Sequence, residues 1–586
     1  MISKVAEYEV IVVGSGGGGL RAAIGSAGAG AKTLVLSRGK ASRSGATLLA
    51  GANISADIAC DGGSLAELGI TDANRGDTKE KFYSDILHEG FFLNNPNLVE
   101  LFVEEAPNRI RELMDWGIKV LGTEGDRGIA VFGSAILDVL FGKARSLGVE
   151  FREDRVFTDL VMEDGMVRGV VCLDLLSGKL EYYAGKAVVL ATGGSHNLFR
   201  HNSGSTDLCG EGPAAALRVG ASLLDMEMIS FCPTVMESPC MYKGNILPYI
   251  FHSLGFGALK NKFGKTFTAK HLPRAVEELA LNSEWNKMLL SYAIQKEING
   301  GGGSMHGGVY FCLDRYPTNL FDELYHDLPS LKTGIYKDIM QVFERGEAVR
   351  VSPGAHYFEG GIRIDRDMGT GVPGLFAAGE CTGGMFGANR VSAATTEMLV
   401  EGAIAGESAA FFAKNCGAIP GVSDCLSEIE HDLLLPFSVS GGEEAQPLKE
   451  SLQEATSESL MVLRSQEKLD CAFLKAKEIR SRLKEIEVRD KTREYNREWL
   501  DYLELRNMSV VAGAILKSAG LRQESRGVHV REDHFVTDNR KFLKNIVIVD
   551  TDFNFRWEPV PTCRVRPSEE VVDYIEGIEL VTAQLS

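Results

Sequence analysis

At 586 residues the chain is too long for one hydrophobic core, and roughly two to four domains are expected. Its 62 Lys and Arg against 80 Asp and Glu leave a net charge of −18, which excludes the broad basic stripe that a nucleic-acid backbone requires. With 44% apolar and 24% charged residues and no apolar run near the ~18–20 that cross a bilayer, it reads as a globular chain with no direct membrane span.

In chain order, Glu9–Val13 reads as a short apolar strand, the glycine run Gly14–Gly19 follows, Leu20–Ala29 reads as a helix and Lys32–Ser37 as a second strand. Gly14-x-Gly16-x-x-Gly19 between strand and helix is the arrangement that holds a dinucleotide diphosphate. The first glycine makes the turn, the second lets the backbone approach the phosphates, and the third lets helix pack on strand. The free N–H groups of the helix start then face the phosphates. Ser37 ends the second strand where a nicotinamide site carries a ribose-binding acid; its hydroxyl can still bond ribose, and FAD is favoured.

A further strand, Lys186–Leu190, runs into Ala191-Thr192-Gly193-Gly194, and Gly374–Gly379 repeats the strand-into-glycine form. Their separation suggests a cofactor domain assembled discontinuously around an insertion at about 240–350. Past about 444 the glycine-poor, helix-period segments Glu454–Arg464, Leu469–Ile486 and Arg493–Leu521 suggest a helical bundle, and Asn545–Val549 is a strand candidate in the tail. The eleven cysteines include no CxxC pair, so no zinc or iron–sulfur site is expected from this chain alone. Their odd number, with no signal peptide, points to reduced thiols in the cytoplasm.

Further along stand Arg43-Ser44-Gly45-Ala46-Thr47, Cys209-Gly210-Glu211-Gly212 leading to Asp225-Met226-Glu227, and His356-Tyr357 with Gly360-Gly361. Gly379-Glu380, Gly387-Ala388-Asn389-Arg390, Arg506-Asn507-Met508 and Glu524–Gly527 with His529 and Arg531 follow. In this order they resemble the flavoprotein subunits of the succinate dehydrogenase/fumarate reductase family over nearly the whole chain.

The resemblance implies an α/β fold. It has a Rossmann-like FAD-binding domain (1–239 and 351–430), an inserted α+β capping domain (240–350), a C-terminal helical bundle (431–530) and a small C-terminal tail domain (531–586). By position, Gly14, Ser15, Gly16 and Gly19 would hold the diphosphate, Ser37 the ribose and Val156 the adenine. Ser44 and Thr47 would lie near the flavin ring, Glu380 would bond the ribityl chain and Thr395 would approach the pyrimidine edge. Arg38, Ala191, Thr192, Gly193, Glu211 and Arg390 complete the implied cofactor set. Respiratory members attach the flavin covalently through a histidine that here is Gly45, so non-covalent FAD is implied. His356 and Arg390 are the implied carboxylate clamp for hydride exchange at a carbon next to a carboxylate, each with a purely structural role as its alternative. No metal site is implied, and an iron–sulfur electron-transfer subunit is the implied partner, with membrane association only through such a partner.

The departures lie around the substrate. The family's His-Pro-Thr is Cys232-Pro233-Thr234, its Thr-Glu-Gly run is replaced by Ile246–His252, and the histidine before Gly-Ala-Asn-Arg is Phe386. The cap helix Leu279–Leu290 lacks the proton-donating arginine, with Asn286 and Lys287 the nearest candidates. Lost polar groups would leave a small dicarboxylate unpaired, so a larger or partly apolar acid is expected rather than fumarate. Two other readings stay open: an adenylylsulfate-reductase-like subunit, and a flavin electron-transfer module in a larger complex. Among secondary candidates, Cys232 is read as a buried inert thiol, and Tyr249 and His252 as cap-domain acids or packing residues. Lys243 and Lys260–Lys265 are read as a solvated face, and Arg522, Arg526 and Arg531 as ties between tail and flavin domain.

Overall fold

A computed structural model of the chain describes every residue except 1, 51–52, 56–77, 121, 125–127, 248–256, 275, 277–285, 314–338, 340, 344, 391–393, 420, 566, 568–569 and 586. The expectations for Tyr249, His252 and most of the Leu279–Leu290 helix fall outside the described residues.

The chain opens with strand β1 (Ser3–Val13), helix α1 (Gly17–Gly28) and β2 (Thr33–Leu36). Then come β3 (Glu150–Arg152), β4 (Arg155–Glu163), β5 (Met166–Asp174) and β6 (Lys179–Leu190). Strands β3, β2, β1 and β6 form a parallel core, with Val10 opposite Thr33 and Val13 opposite Leu190. Val10–Val13 are all buried, so the strand reads as a continuous apolar run because helices and loops cover both sheet faces. The far edge of β6 is shared: its first half pairs antiparallel with β5, which pairs with β4.

The capping sheet is antiparallel, in the order β7 (Ile229–Ser238), β10 (Val349–Phe358), β9 (Val309–Leu313), β8 (Gly257–Lys260). Helix α2 (Asn286–Glu297) lies on it, where the Ser291 hydroxyl donates to the Phe231 carbonyl at 3.2 Å. The chain then returns as β11 (Leu375–Ala377), parallel to the second half of β6. Helix α3 (Ala394–Asn415) follows and packs directly on α1. That approach needs glycine: a Cβ on Gly406 would lie 2.0 Å from the Ala22 carbonyl oxygen.

The helical region contains Ser423–Ser438, α4 (Ala445–Ser459), α5 (Gln466–Arg482) and α6 (Arg497–Leu521). The expected Glu454–Arg464 helix stops at Ser459, because Leu463 and Arg464 pair as a strand with Val530 and Arg531. The tail strand Lys544–Ile548 joins a sheet with Leu223–Leu224 of the flavin domain. Arg522, Arg526 and Arg531 are fully buried ties: Arg522 bonds Glu227 at 2.6 Å and the Phe542 carbonyl, while Arg526 reaches the Phe91 carbonyl. Among the described residues no helix is long and apolar enough to cross a membrane.

Candidate cofactor and active site

The loop between β1 and α1 is shaped by contacts that only glycine permits. Gly14 has φ +112°, and a Cβ there would lie 2.2 Å from the Ala191 carbonyl oxygen; a Cβ on Gly19 would lie 2.0 Å from that of Gly14. Gly16 differs: it is extended (φ −72°, ψ −174°), and its Cβ would meet only the Thr47 hydroxyl, at 3.7 Å. Packing therefore explains two glycines and leaves the middle one facing open space. Gly16 is the N-cap of α1, no side chain caps the helix, and its first turn holds no acid. A glycine backbone at a helix start free of acids fits a diphosphate.

Around this loop Ser15 and Ser37 share a buried hydroxyl–hydroxyl bond of 2.7 Å, and the Gly17 amide donates to the Thr47 hydroxyl at 3.2 Å. Ser37 is joined to the neighbouring strands through Ser37 N to Arg152 O and Arg155 N to Ser37 O, each 2.9 Å, which brings buried Val156 to the same end of the sheet. Arg38 and Glu211, both expected at the cofactor, are brought to each other at 3.0 Å. Arg38 also pairs with Glu504 of α6, fastening this loop to the helical region. Burial pushes the Glu211 carboxyl up, against the pull of Arg38.

Ser44 is half-buried in the turn before the short helix Ala46–Leu49, whose N-cap is Gly45. Gly45 has φ +83°, and a Cβ there meets nothing within 4 Å, so this turn suits glycine and leaves space beside it. Across the cleft Ala191 is bonded to the Val13 carbonyl, Gly193 has φ +72°, and the Thr192 hydroxyl is buried without a partner among the described residues. Such a group fits a ligand that supplies the missing bond. Glu380 accepts from the Phe358 amide at 3.3 Å, and burial pushes its carboxyl up to about 8 against the pull of Arg390. Thr395 is buried at the start of α3. The residues present therefore fit FAD.

Of the two expected catalytic residues, Arg390 lines a cavity, while His356 lies outside that lining, within reach of the Arg390 and Lys287 charges. This small cavity has Arg390, Asn389, Lys287, Ser230 and Ser291 as its polar lining and Phe231, Met288, Val462 and Val528 as its apolar lining. The Arg390 guanidinium carbon sits 4.1 Å above the centre of the Tyr357 ring. His356 bonds the Ser203 hydroxyl through Nδ1 at 2.8 Å, and its carbonyl accepts from His196 Nε2 at 2.9 Å. Burial, then the charges of Arg390 and Lys287, hold His356 well below its usual pKa, so its imidazole is neutral at pH 7. Cys232 is buried beside the cavity with its thiol pushed up to about 11 by burial, which fits an inert thiol. Phe386 packs edge-on against Phe102.

Sequence reasoning missed three buried acids here. Glu359 follows β10 with neither carboxyl oxygen bonded, and burial pushes it up to about 8 against the pull of Arg390. Glu397 accepts the Tyr357 hydroxyl, and Glu401, one turn later on α3, accepts from the Gly379 amide at 2.7 Å. The signal available for Glu397 and Glu401 was two glutamates four residues apart among the small and apolar residues that open α3.

The family described as "FAD binding domain" matches residues 9–134 and 121–396, and that described as "Fumarate reductase flavoprotein C-term" matches 449–572. A relative from Methanothermobacter marburgensis, named as the A subunit of a fumarate reductase (CoM/CoB), is 30% identical across 91% of this chain and 95% of its own. The solved FrdA chain of E. coli quinol fumarate reductase superposes with a TM-score of 0.83 at 26% identity, covering 97% of this chain and 99% of that one. The adenylylsulfate reductase of Archaeoglobus fulgidus, at 17% identity over 96% of this chain and 97% of its own with a TM-score of 0.75, shares the fold alone. The chain belongs to the fumarate reductase/succinate dehydrogenase flavoprotein subunit family and is an FAD-dependent oxidoreductase.

Proposed function

We propose that this flavoprotein subunit exchanges hydride between non-covalently held FAD and the C–C bond of an acid or acyl compound that is larger or more apolar than fumarate. The observation that carries this reading is the mixed lining of the cavity, which joins Arg390, Asn389 and Lys287 with the apolar Phe231, Met288, Val462 and Val528. A guanidinium lying over the Tyr357 ring keeps N–H donors available for a carboxylate. Neutral His356, oriented by Ser203, bonds the same carboxylate or the adjacent carbonyl. Lys287, the second cationic side chain of the lining, is the proposed holder of the proton that joins the substrate carbon next to the carboxylate. FAD supplies the hydride. The apolar walls take an alkyl or aromatic substituent where a second carboxylate would stay unpaired.

Gly45 supports non-covalent attachment, since its φ of +83° is a conformation a side chain rarely adopts. The electron partner in this reading is an iron–sulfur subunit: relatives are named as subunits, and among the described residues no group of His, Cys, Asp or Glu could hold a metal. A cavity lined by Arg390 and Lys287 favours substrate turnover over a pure electron relay.

The test is anaerobic. The flavin is reduced and then challenged with fumarate, crotonate, cinnamate and their acyl thioesters. Faster reoxidation by the apolar acids than by fumarate is expected, and fumarate turning over fastest overturns the reading. Acid precipitation should leave the yellow colour in the supernatant; colour in the pellet overturns non-covalent attachment.

A further inference from the structure

Arg390 makes no ion pair within 4 Å among the described residues, although it lies at a buried site, and its Nε is buried without a hydrogen-bond partner. Its visible support is the ring of Tyr357, 4.1 Å below the guanidinium. That ring is in turn held at its far end, where the Tyr357 hydroxyl donates to the Glu397 carboxyl. Tyr357 is 6% exposed and Glu397 3%. Glu397 sits in the first turn of α3, a helix fixed by its backbone-to-backbone packing on α1. An unbroken mechanical line therefore runs from the helix pair through Glu397 and Tyr357 to the plane of the guanidinium.

We propose that Glu397, acting through Tyr357, is the positioning residue that sets the plane and reach of the Arg390 guanidinium for the substrate carboxylate. Face-on stacking fixes a planar group in tilt and leaves its in-plane N–H donors directed at the cavity. A ring anchored only at its Cβ end can swing, whereas one anchored at both ends cannot. The ring is thus a rigid shelf, and the acid its bracket. Since the carboxylate must be met in one plane before the substrate C–C bond comes within reach of the flavin, that shelf governs binding. The proposal rests on the reading of Arg390 as carboxylate clamp.

The experiment uses the FAD-saturated protein and measures binding of fumarate, crotonate and cinnamate by perturbation of the flavin absorbance. KM and kcat follow for whichever acid turns over. Glu397→Ala should weaken binding of the bound acid about tenfold and raise KM to match, with kcat changed less than threefold. Glu397→Gln, which keeps an acceptor for the hydroxyl, should restore binding to within threefold of wild type. Tyr357→Phe should resemble Glu397→Ala, and Tyr357→Leu, which removes the shelf, should be weaker than either. FAD content and melting temperature are read alongside. Unchanged binding in Glu397→Ala, or failure of Glu397→Gln to restore it in a protein with full FAD content, overturns the proposal. If Arg390→Ala abolishes binding while the Glu397 variants behave as wild type, only the bracket fails. If wild type and Arg390→Ala bind all three acids equally or not at all, the clamp reading fails and this inference with it.

Discussion

Gly16→Ala adds one methyl at a backbone that is already extended, 3.7 Å from the Thr47 hydroxyl and clear of other protein atoms. The fold should tolerate it: stability of the FAD-stripped protein should stay within about 0.5 kcal/mol, or rise by up to about 1 kcal/mol as the unfolded chain loses freedom. The same methyl points into the space assigned to the diphosphate, so FAD affinity should fall at least tenfold, or about 1.4 kcal/mol. Gly19→Ala provides the contrast. Its methyl would stand 2.0 Å from the Gly14 carbonyl oxygen, forcing strand and helix apart at a cost of about 3 kcal/mol or more before any ligand is considered. Urea denaturation of the stripped proteins and titration with FAD, followed by flavin fluorescence, separate the two effects. The assignment of the loop is wrong if Gly16→Ala destabilises the stripped protein as much as Gly19→Ala, or binds FAD as tightly as wild type.

Glu359→Gln should stabilise the protein increasingly as pH rises. The folded carboxyl is pushed from 4.5 to about 8, so its contribution is fully present below pH 4.5 and is lost as pH climbs toward 8. The gain over wild type between those limits should approach roughly 4 kcal/mol by denaturation at a series of pH values, and a pH-independent difference would contradict it. Arg38→Ala leaves Glu211 and Glu504 without their shared cation and should cost about 3 kcal/mol; Arg38→Lys should recover only part, because one ammonium cannot reach both carboxyls as a guanidinium does. Because His356 is held well below its usual pKa, the acid limb of kcat/KM should lie clear of pH 6–7, and a limb near 6.5 lost in His356→Gln would show that the histidine titrates normally.

The strand–loop–helix start was legible because local pattern and tertiary role coincide there: an apolar run, glycines at fixed offsets, then a helix, all within about thirty residues. The helical region was legible by period, but the end of α4 was not. Leu463 and Arg464 leave the helix for a strand partner some sixty-five residues away, and no local propensity encodes that pairing. The acids around Arg390 were hidden for a different reason. A glutamate in a helix normally marks a solvated face, and only the packing of α3 on α1 turns Glu397 and Glu401 inward. Likewise Arg38, Glu211 and Glu504 stand far apart in sequence, and Arg38 can pair with both acids only where α6 brings Glu504 to it.

The neighbours of strand β6 arrive at very different times in synthesis. Its first half is covered by β5, which precedes it, but Val188–Leu190 wait for β11, which emerges only after the whole cap. Until then the edge beside Ala191–Gly194 shows bare amides and carbonyls on an apolar strand, a ready template for another chain. Fragments that stop before Leu375 should therefore accumulate as aggregates rather than as a soluble cofactor domain, while those extending through Ala377 close that edge. This side of the cofactor domain is a seam that the ribosome leaves open until the cap has been made.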